Sequence, residues 1–149
     1  MIGQRIVGTA LLSIVLMSGV ELAAQSGGAL QVTVEYTGAD GEVSATNSIV
    51  VMIFSDPPTD ESALPMSFPL IVQENGATVT FDNISTSPVY LLAALMDPED
   101  LLASAGGGLP AGTPMGIHGI LTGAPVGIAI GDGDTVEVAL QFDDLVRMP

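Results

Sequence analysis

The sequence predicts an all-β fold, an antiparallel β-sandwich of about seven strands. Most apolar segments after residue 24 are short, and they either alternate with polar residues or are rich in Val and Ile, as β-strands are. Gly, Pro, Asp and Asn separate these segments at regular spacing, as turns do. Long apolar stretches with a helical period are absent from the same part of the sequence.

Residues 1–24 are typical of a helical secretory signal peptide. Arg5 gives a positive start, an apolar run follows over residues 6–20, and small residues precede a cleavage site expected between Ala24 and Gln25. The run is shorter than the ~20 residues of a spanning helix, so an uncleaved membrane anchor is the less favoured alternative. We therefore expect an exported protein, secreted or periplasmic, with one domain over residues 25–149.

Four strands are predicted in the first half of this domain, over residues 30–36, 49–54, 67–72 and 78–81. The first alternates apolar and polar side chains, which predicts one buried face, whereas the second is continuously apolar and predicts two buried faces. Asp40-Gly41 between the first two strands is a hairpin signal, and Asn75-Gly76 favours a tight turn between the other two. We therefore expect tight turns at both places.

The second half of the domain is predicted to contain three more strands, over residues 89–96, 126–130 and 135–142. Leu and Ala favour helix in the first of these, so a helix is the alternative there. A strand is preferred because the segment is short for a helix and follows the Pro-containing turn at residues 86–88. The last strand alternates strongly and follows an Asp-Gly-rich turn at residues 131–134.

One long irregular stretch, residues 101–125, lies between these strands. It contains Gly106, Gly107 and Gly108, and also His118, the only histidine in the sequence. The glycine run is not a phosphate-binding loop, because no Lys-Ser/Thr pair follows it. Loops of this length are uncommon in compact domains and are often functional, so we expect this loop to bind the partner.

Several segments share a pattern of turns and strand ends with a known group of β-sandwiches. They are residues 81–97 with the turn Pro88-Val89-Tyr90, Gly116-Ile117-His118-Gly119, Pro125-Val126, and residues 133–138. In this pattern the chain resembles the transthyretin-like, or carboxypeptidase-regulatory-like, domains of exported bacterial proteins. The resemblance spans roughly residues 30–145 and implies an Ig-like or prealbumin-like sandwich with an accessory or binding role. It supplies no catalytic residues, and Val89 stands where many relatives have Gly.

The composition excludes several kinds of chemistry. Without cysteine there are no disulfides, no thiolate metal sites and no thiol catalysis. A Ser-His-Asp triad would have to use His118, and the sequence has no G-x-S-x-G motif. We therefore expect no enzymatic activity, and keep a carboxylate-based hydrolase as a less favoured alternative.

Oxygen ligands are sufficient for Ca²⁺, so acidic clusters are the remaining candidate metal sites. The three clusters are Asp97, Glu99 and Asp100; Asp132 and Asp134; and Asp56, Asp60 and Glu61. All lie in predicted turns or strand ends, where Asp is also favoured for its turn chemistry. A Ca²⁺-dependent adhesion or matrix module is therefore the alternative, and no other cofactor is expected.

The charge of the chain is strongly negative. Seventeen Asp and Glu residues stand against two basic residues, Arg5 and Arg147, for a net charge of −15. Such a surface repels nucleic acid and anionic membranes, so a protein or cell-surface partner is expected. Adaptation to a salty environment is an alternative explanation of the acidity. The function predicted from the sequence is an exported, non-catalytic binding or structural module.

Overall fold

A computed structural model describes residues 27–59, 62–104 and 108–149. The predicted signal peptide lies outside these residues. Seven strands and almost no helix are present in the described part, which confirms the all-β fold. The strands are β1 (Gly28–Tyr36), β2 (Ser48–Phe54), β3 (Leu70–Val72), β4 (Thr78–Ile84), β5 (Tyr90–Met96), β6 (Met115–Ile117) and β7 (Thr135–Phe142). A short helix α1 (Pro98–Ala103) and a 3-10 turn (Ile120–Thr122) complete the described elements.

The strands form two sheets that pack face to face. The three-stranded sheet has the order β4-β1-β7 and the four-stranded sheet has the order β3-β2-β5-β6. All strand pairs are antiparallel except β1 and β7, which run parallel from Ala29 beside Thr135 to Tyr36 beside Phe142. This pair departs from the antiparallel prediction. Strands of the other sheet lie between β1 and β7 along the chain, so no hairpin fixes the relative direction of these two strands.

The main core fills the space between the sheets. Alternate residues of β1 point into it, and β2 and β5 each contribute one of their two faces. The buried side chains from these strands are Leu30, Val32, Val34 and Tyr36 of β1, Ile49, Val51 and Ile53 of β2, and Leu91, Ala93 and Leu95 of β5. The other faces of β2 and β5 are also buried, as their continuous apolar sequences predict.

The prediction of a strand over residues 126–130 was wrong. In this segment only Ile128 pairs with another strand region, through an isolated antiparallel bridge to Val89. The Val126 N–H donates to the His118 carbonyl and the Ile130 N–H donates to the Ser87 hydroxyl, so the ladder does not extend in either direction. The additional strand is instead β6, which lies inside the stretch expected to be irregular and which pairs with β5.

The prediction of a hairpin at Asp40-Gly41 was also wrong. β1 and β2 lie in different sheets, so this connection crosses the sandwich. β2 is buried on both faces and pairs with β3 and β5. Asn75-Gly76 does form a turn, with Gly76 at φ +78°, but it too connects different sheets. The Asn75 side chain bonds both the N–H and the carbonyl of Tyr36, at 2.7 and 2.8 Å, which ties the turn to the end of β1.

The boundaries of β3 and β4 also differ from the predictions, and α1 was not predicted. β3 begins only after Pro69, which cannot donate to a strand ladder, and β4 continues to Ile84. α1 begins before residue 101 because Asp97 caps it and Pro98 occupies its first turn. No helix in the described ranges is long and apolar enough to cross a membrane.

Candidate functional site

The outer face of the four-stranded sheet is apolar but has no second sheet against it. Its buried side chains are Val50, Met52 and Phe54 of β2, Leu92, Ala94 and Met96 of β5, and Ile117 of β6. Irregular segments and α1 cover this face in place of strands. Because loops fill a surface less completely than a facing sheet does, the packing here leaves space.

That space is a cavity of about 470 Å³, which we call the outer cavity. Its floor consists of Met52, Phe54 and Leu92. Three parts of the chain form its walls: residues 58–59 with 63–69, α1 with residues 108–115, and residues 148–149. The volume lies in the ~300–1,000 Å³ range of small-molecule sites, which are also mostly apolar.

The first wall is the segment between β2 and β3. The Met66 N–H donates to the Ile53 carbonyl at 2.8 Å, which fixes this segment to the end of β2. Leu64 and Phe68 line the cavity although 71% and 92% of their surfaces are exposed. Large apolar side chains with such exposure lie at the opening of the cavity, where a ligand would cover them.

The second wall begins with α1. The Asp97 carboxylate accepts from the Glu99 N–H at 2.9 Å and so starts the helix directly after β5. Leu101 is half-buried against the outer face of the sheet. Leu102 lines the cavity with 78% of its surface exposed, and Ser104 closes the helix by donating to the Leu101 carbonyl at 2.9 Å.

The third wall is formed by the last residues of the chain. Met148 exchanges backbone hydrogen bonds with residues 112 and 113, at 2.8 and 2.9 Å. The Met115 N–H donates to the Val146 carbonyl at 2.9 Å. These bonds hold Met148 and Pro149 against the cavity, so the C-terminal segment is part of the site.

Four side chains, which we call the C-terminal clasp, fix this segment: Tyr36, Asp40, Asp144 and Arg147. The Arg147 guanidinium contacts the Asp40 carboxylate at 2.7 Å and donates to the carbonyls of Gly112 and Asp144 at 2.9 and 3.1 Å. The Tyr36 hydroxyl donates to the Asp144 carboxylate and accepts from the Asp40 N–H. Arg147 therefore joins the C-terminal wall to the loop that follows β1.

The clasp shifts the pKa values of Tyr36 and Asp144 in opposite directions. The pKa of the Tyr36 hydroxyl is raised to about 12. Burial is the largest cause of this increase, and the hydrogen bond to the Asp144 carboxylate is the second largest. The same hydrogen bond, followed by one from the Ala39 N–H, lowers the pKa of Asp144. The neutral phenol and the ionised carboxylate therefore stabilise each other.

The side chains that line the outer cavity are uncharged. None of the described residues that line it is Asp, Glu, Lys, Arg or His, and the polar side chains among them belong to Thr59 and Ser104. The Ser104 hydroxyl donates to the carbonyl of its own helix, and no histidine is among these lining residues. The arrangement can therefore hold an apolar molecule by burial, and offers it no paired nucleophile and base.

The structure does not bring the predicted Ca²⁺ ligands into one group. Asp97 caps α1, Glu99 and Asp100 are exposed in its first turn, and Asp132 and Asp134 flank the turn before β7. Asp56 is exposed after β2, and Asp60 and Glu61 lie outside the described residues. Across the described ranges, no three His, Asp or Glu side chains lie close enough together to hold a metal ion. The Ca²⁺ site stays a prediction.

The predicted binding loop lies partly on the outer cavity. Gly108 lines it, whereas Gly106 and Gly107 lie outside the described residues. His118 lies instead beside a second cleft of about 330 Å³ between β7 and residues 115–121. Its N–H donates to the Leu91 carbonyl at 3.0 Å, which fixes the backbone after β6.

The apolar residues of this site were not singled out from the sequence. Leu64 and Leu102 lie in segments that the sequence predicts as loops, and Phe68 lies in the predicted strand 67–72, ahead of the start of β3 at Leu70. One available signal was the apolar character of residues 49–54 and 89–96, because strands buried on both faces need a cover on each. Large apolar side chains in loops were the other signal.

The chain matches no protein-family model, no curated protein and no solved structure. The function is therefore argued from the geometry of the outer cavity.

Proposed function

We propose that this protein is an exported, non-catalytic β-sandwich module that binds a small apolar ligand in the outer cavity. The observation that supports this proposal is a cavity of about 470 Å³ with an apolar floor and exposed apolar side chains at its opening. An apolar surface left partly open on a folded domain is typical of a ligand or partner site.

The fold relationship is part of the same proposal. We place the domain with the transthyretin-like sandwiches, and three features support this. Phe81 lies in β4, the turn that contains Pro88 follows, and β5 ends directly before Asp97. This is the order of features in which the sequence resembles that group.

The affinity of such a site is set by burial. A ligand that removes ~300 Å² of apolar surface from water gains ~7 kcal/mol before the cost of association. Three methionines, Met52, Met115 and Met148, line the cavity, and their flexible side chains can adapt to ligands of different shape. We therefore expect moderate affinity, in the millimolar to micromolar range, for simple apolar compounds.

Nile red, an uncharged dye whose emission shifts to the blue in apolar surroundings, tests the proposal with the purified protein. We expect saturable binding with one dye per chain. Met52→Trp places a larger side chain on the cavity floor and should abolish this binding. Leu145→Trp is the matched control, because Leu145 is exposed and does not line the cavity. Equal binding by both variants, or no saturable binding by the wild type, would contradict the proposal.

The Ca²⁺-dependent alternative is tested separately. Calorimetric titration of metal-free protein with Ca²⁺ should give binding heat if the acidic clusters act together. No contact among the described residues favours this role over the apolar site.

A further inference from the structure

We propose that the outer cavity is selective for a small amphiphile with one cationic head group, such as an alkylammonium, over a fatty carboxylate of the same chain length. This inference rests on the proposed function, since it concerns the ligand of the same cavity. It adds the charge of the head group, which the apolar lining alone does not determine.

The first argument is the lack of a cation for an anionic head group. The sequence has two basic residues, and Arg147 is the one in the described part. Its guanidinium is already bound by Asp40 and by the carbonyls of Gly112 and Asp144. A carboxylate head brought to the opening of the cavity would lose water without gaining a charged partner.

The second argument is the acidic sequence next to the lining residues. Asp56 lies two residues from Phe54 and from Pro58, and Asp100 directly precedes Leu101. Since consecutive Cα atoms are about 3.8 Å apart, the Cα atoms of these acidic residues lie within about 8 Å of those of the lining residues. Both are exposed and neither lines the cavity, so they place negative charge close to the lining residues. Negative charge this close favours a cationic head group over an anionic one, while the alkyl chain lies inside.

The third argument is the aromatic side chain at the opening. Phe68 lines the cavity and has 92% of its surface exposed, so its ring is available to a ligand. The face of an aromatic ring attracts ammonium groups and not carboxylates. Phe54 provides a second ring deeper in the cavity.

The size of the cavity indicates a small molecule. About 470 Å³ accommodates a single alkyl chain and lies at the lower end of the range for small-molecule sites. The ligand class that matches both size and charge is therefore a single-chain cationic amphiphile.

Displacement of Nile red by three ten-carbon compounds tests this selectivity. They are decyltrimethylammonium, decanoate and the neutral decyl glucoside, used below their micelle concentrations. At about 20 mM salt we expect the ammonium compound to bind at least about tenfold tighter than decanoate, with the glucoside between them. At about 1 M salt the three affinities should approach each other, because screening removes the charge contribution.

Two variants separate the contributions of charge and ring. Asp56→Asn with Asp100→Asn should reduce the preference for ammonium over decanoate. Phe68→Leu should weaken ammonium binding more than glucoside binding, because leucine keeps the apolar contact and removes the ring. Glu137→Gln is the control for net charge, since Glu137 lies on β7 in the other sheet and is expected to leave the preference unchanged.

The outcomes distinguish this inference from the proposed function. If the wild type binds no dye saturably, the proposed function is contradicted and this inference with it; if the dye binds but the ammonium compound does not displace it, this inference alone is contradicted. If decyl glucoside binds but decanoate binds as tightly as the ammonium compound at low salt, the cavity binds apolar ligands and the charge selectivity is wrong.

Discussion

The two faces of the four-stranded sheet differ in what covers them. Leu91 and Leu92 are neighbours on β5, and both are buried. Leu91 points into the core, where a regular sheet packs against it, whereas Leu92 lies on the floor of the outer cavity. The same strands thus contribute to a close-packed core on one face and to the floor of an accessible cavity on the other.

This difference suggests a division of roles between stability and binding. The cover of the inner face is held by continuous strand ladders, including eight aligned residue pairs between β1 and β7. The cover of the outer face is attached through a few backbone hydrogen bonds per segment, such as the one from Met66 to Ile53. Segments with few such bonds open at lower free energy than core strands, as ligand-binding regions commonly do.

The largest expected effect compares the two leucines. Leu91→Ala should lower the free energy of unfolding by about 3 kcal/mol, because it creates a cavity in a close-packed core. Leu92→Ala should cost less, about 2 kcal/mol, because it enlarges a space that already exists, and it should weaken Nile red binding. Urea unfolding measures both costs. Equal costs would mean that the two faces are packed equally well.

The next effect concerns Tyr36, which joins the core to the clasp. Its pKa is raised to about 12, so the stability it contributes is complete below pH ~10 and is lost as the pH rises toward 12. Asp144 has a lowered pKa, so its contribution is present above pH ~4 and is lost in more acidic solution. We expect a loss of roughly 1–2 kcal/mol between pH 9 and 12 in the wild type.

Tyr36→Phe should remove most of this alkaline loss, and urea unfolding across the pH series checks it. The absence of lysine leaves few other groups that titrate in this range. An unchanged pH profile in Tyr36→Phe would show that the clasp does not stabilise the protein.

A smaller effect on stability is expected at Arg147. Its side chain is 38% exposed, and exposed ion pairs contribute little to stability, so Arg147→Gln should lower the free energy of unfolding only slightly. The same change should weaken Nile red binding, because Met148 and Pro149 lose the contact that holds their segment. Asp143→Asn is the matched control, since it changes a nearby charge outside the clasp. Full binding by Arg147→Gln would show that the C-terminal wall does not need the clasp.

The smallest effect on stability is expected at the opening of the cavity. Phe68→Ser should leave the unfolding free energy unchanged within ~0.5 kcal/mol, because the ring is almost fully exposed. It should nevertheless weaken dye binding. Leu121→Ser is the control, since Leu121 is equally prominent on the surface and does not line the outer cavity. Loss of dye binding in both variants would indicate adsorption to exposed apolar residues in general.

The local sequence pattern was sufficient to predict the alternating strands, but it was not sufficient to predict the candidate site. The alternation in residues 30–36 and 135–142 identified β1 and β7, because each strand has one buried face. β6 was missed because three residues, one of them Gly116, are too few to show a period. The predicted hairpin at Asp40-Gly41 failed because pairing of β2 with β5 outweighed the local turn signal.

The outer cavity could not be predicted from local sequence because it depends on distant segments. Met52, Leu102 and Met148 come from separate parts of the chain and meet only through the sheet, α1 and the clasp. In the described part, the acidic residues that the sequence singled out include a helix cap, exposed charges and turn residues.

The methionine methyl groups provide the most direct test that the outer face binds a ligand. Met52, Met115 and Met148 line the cavity, whereas Met96 lies on the same face outside its lining and Met66 packs against the main core. Nuclear magnetic resonance of methyl-labelled methionine during titration with decyl glucoside reports each of them. We predict saturable shifts at Met52, Met115 and Met148, with little change at Met66 and Met96. Shifts of similar size at all five, or none at the three lining residues, would contradict the account.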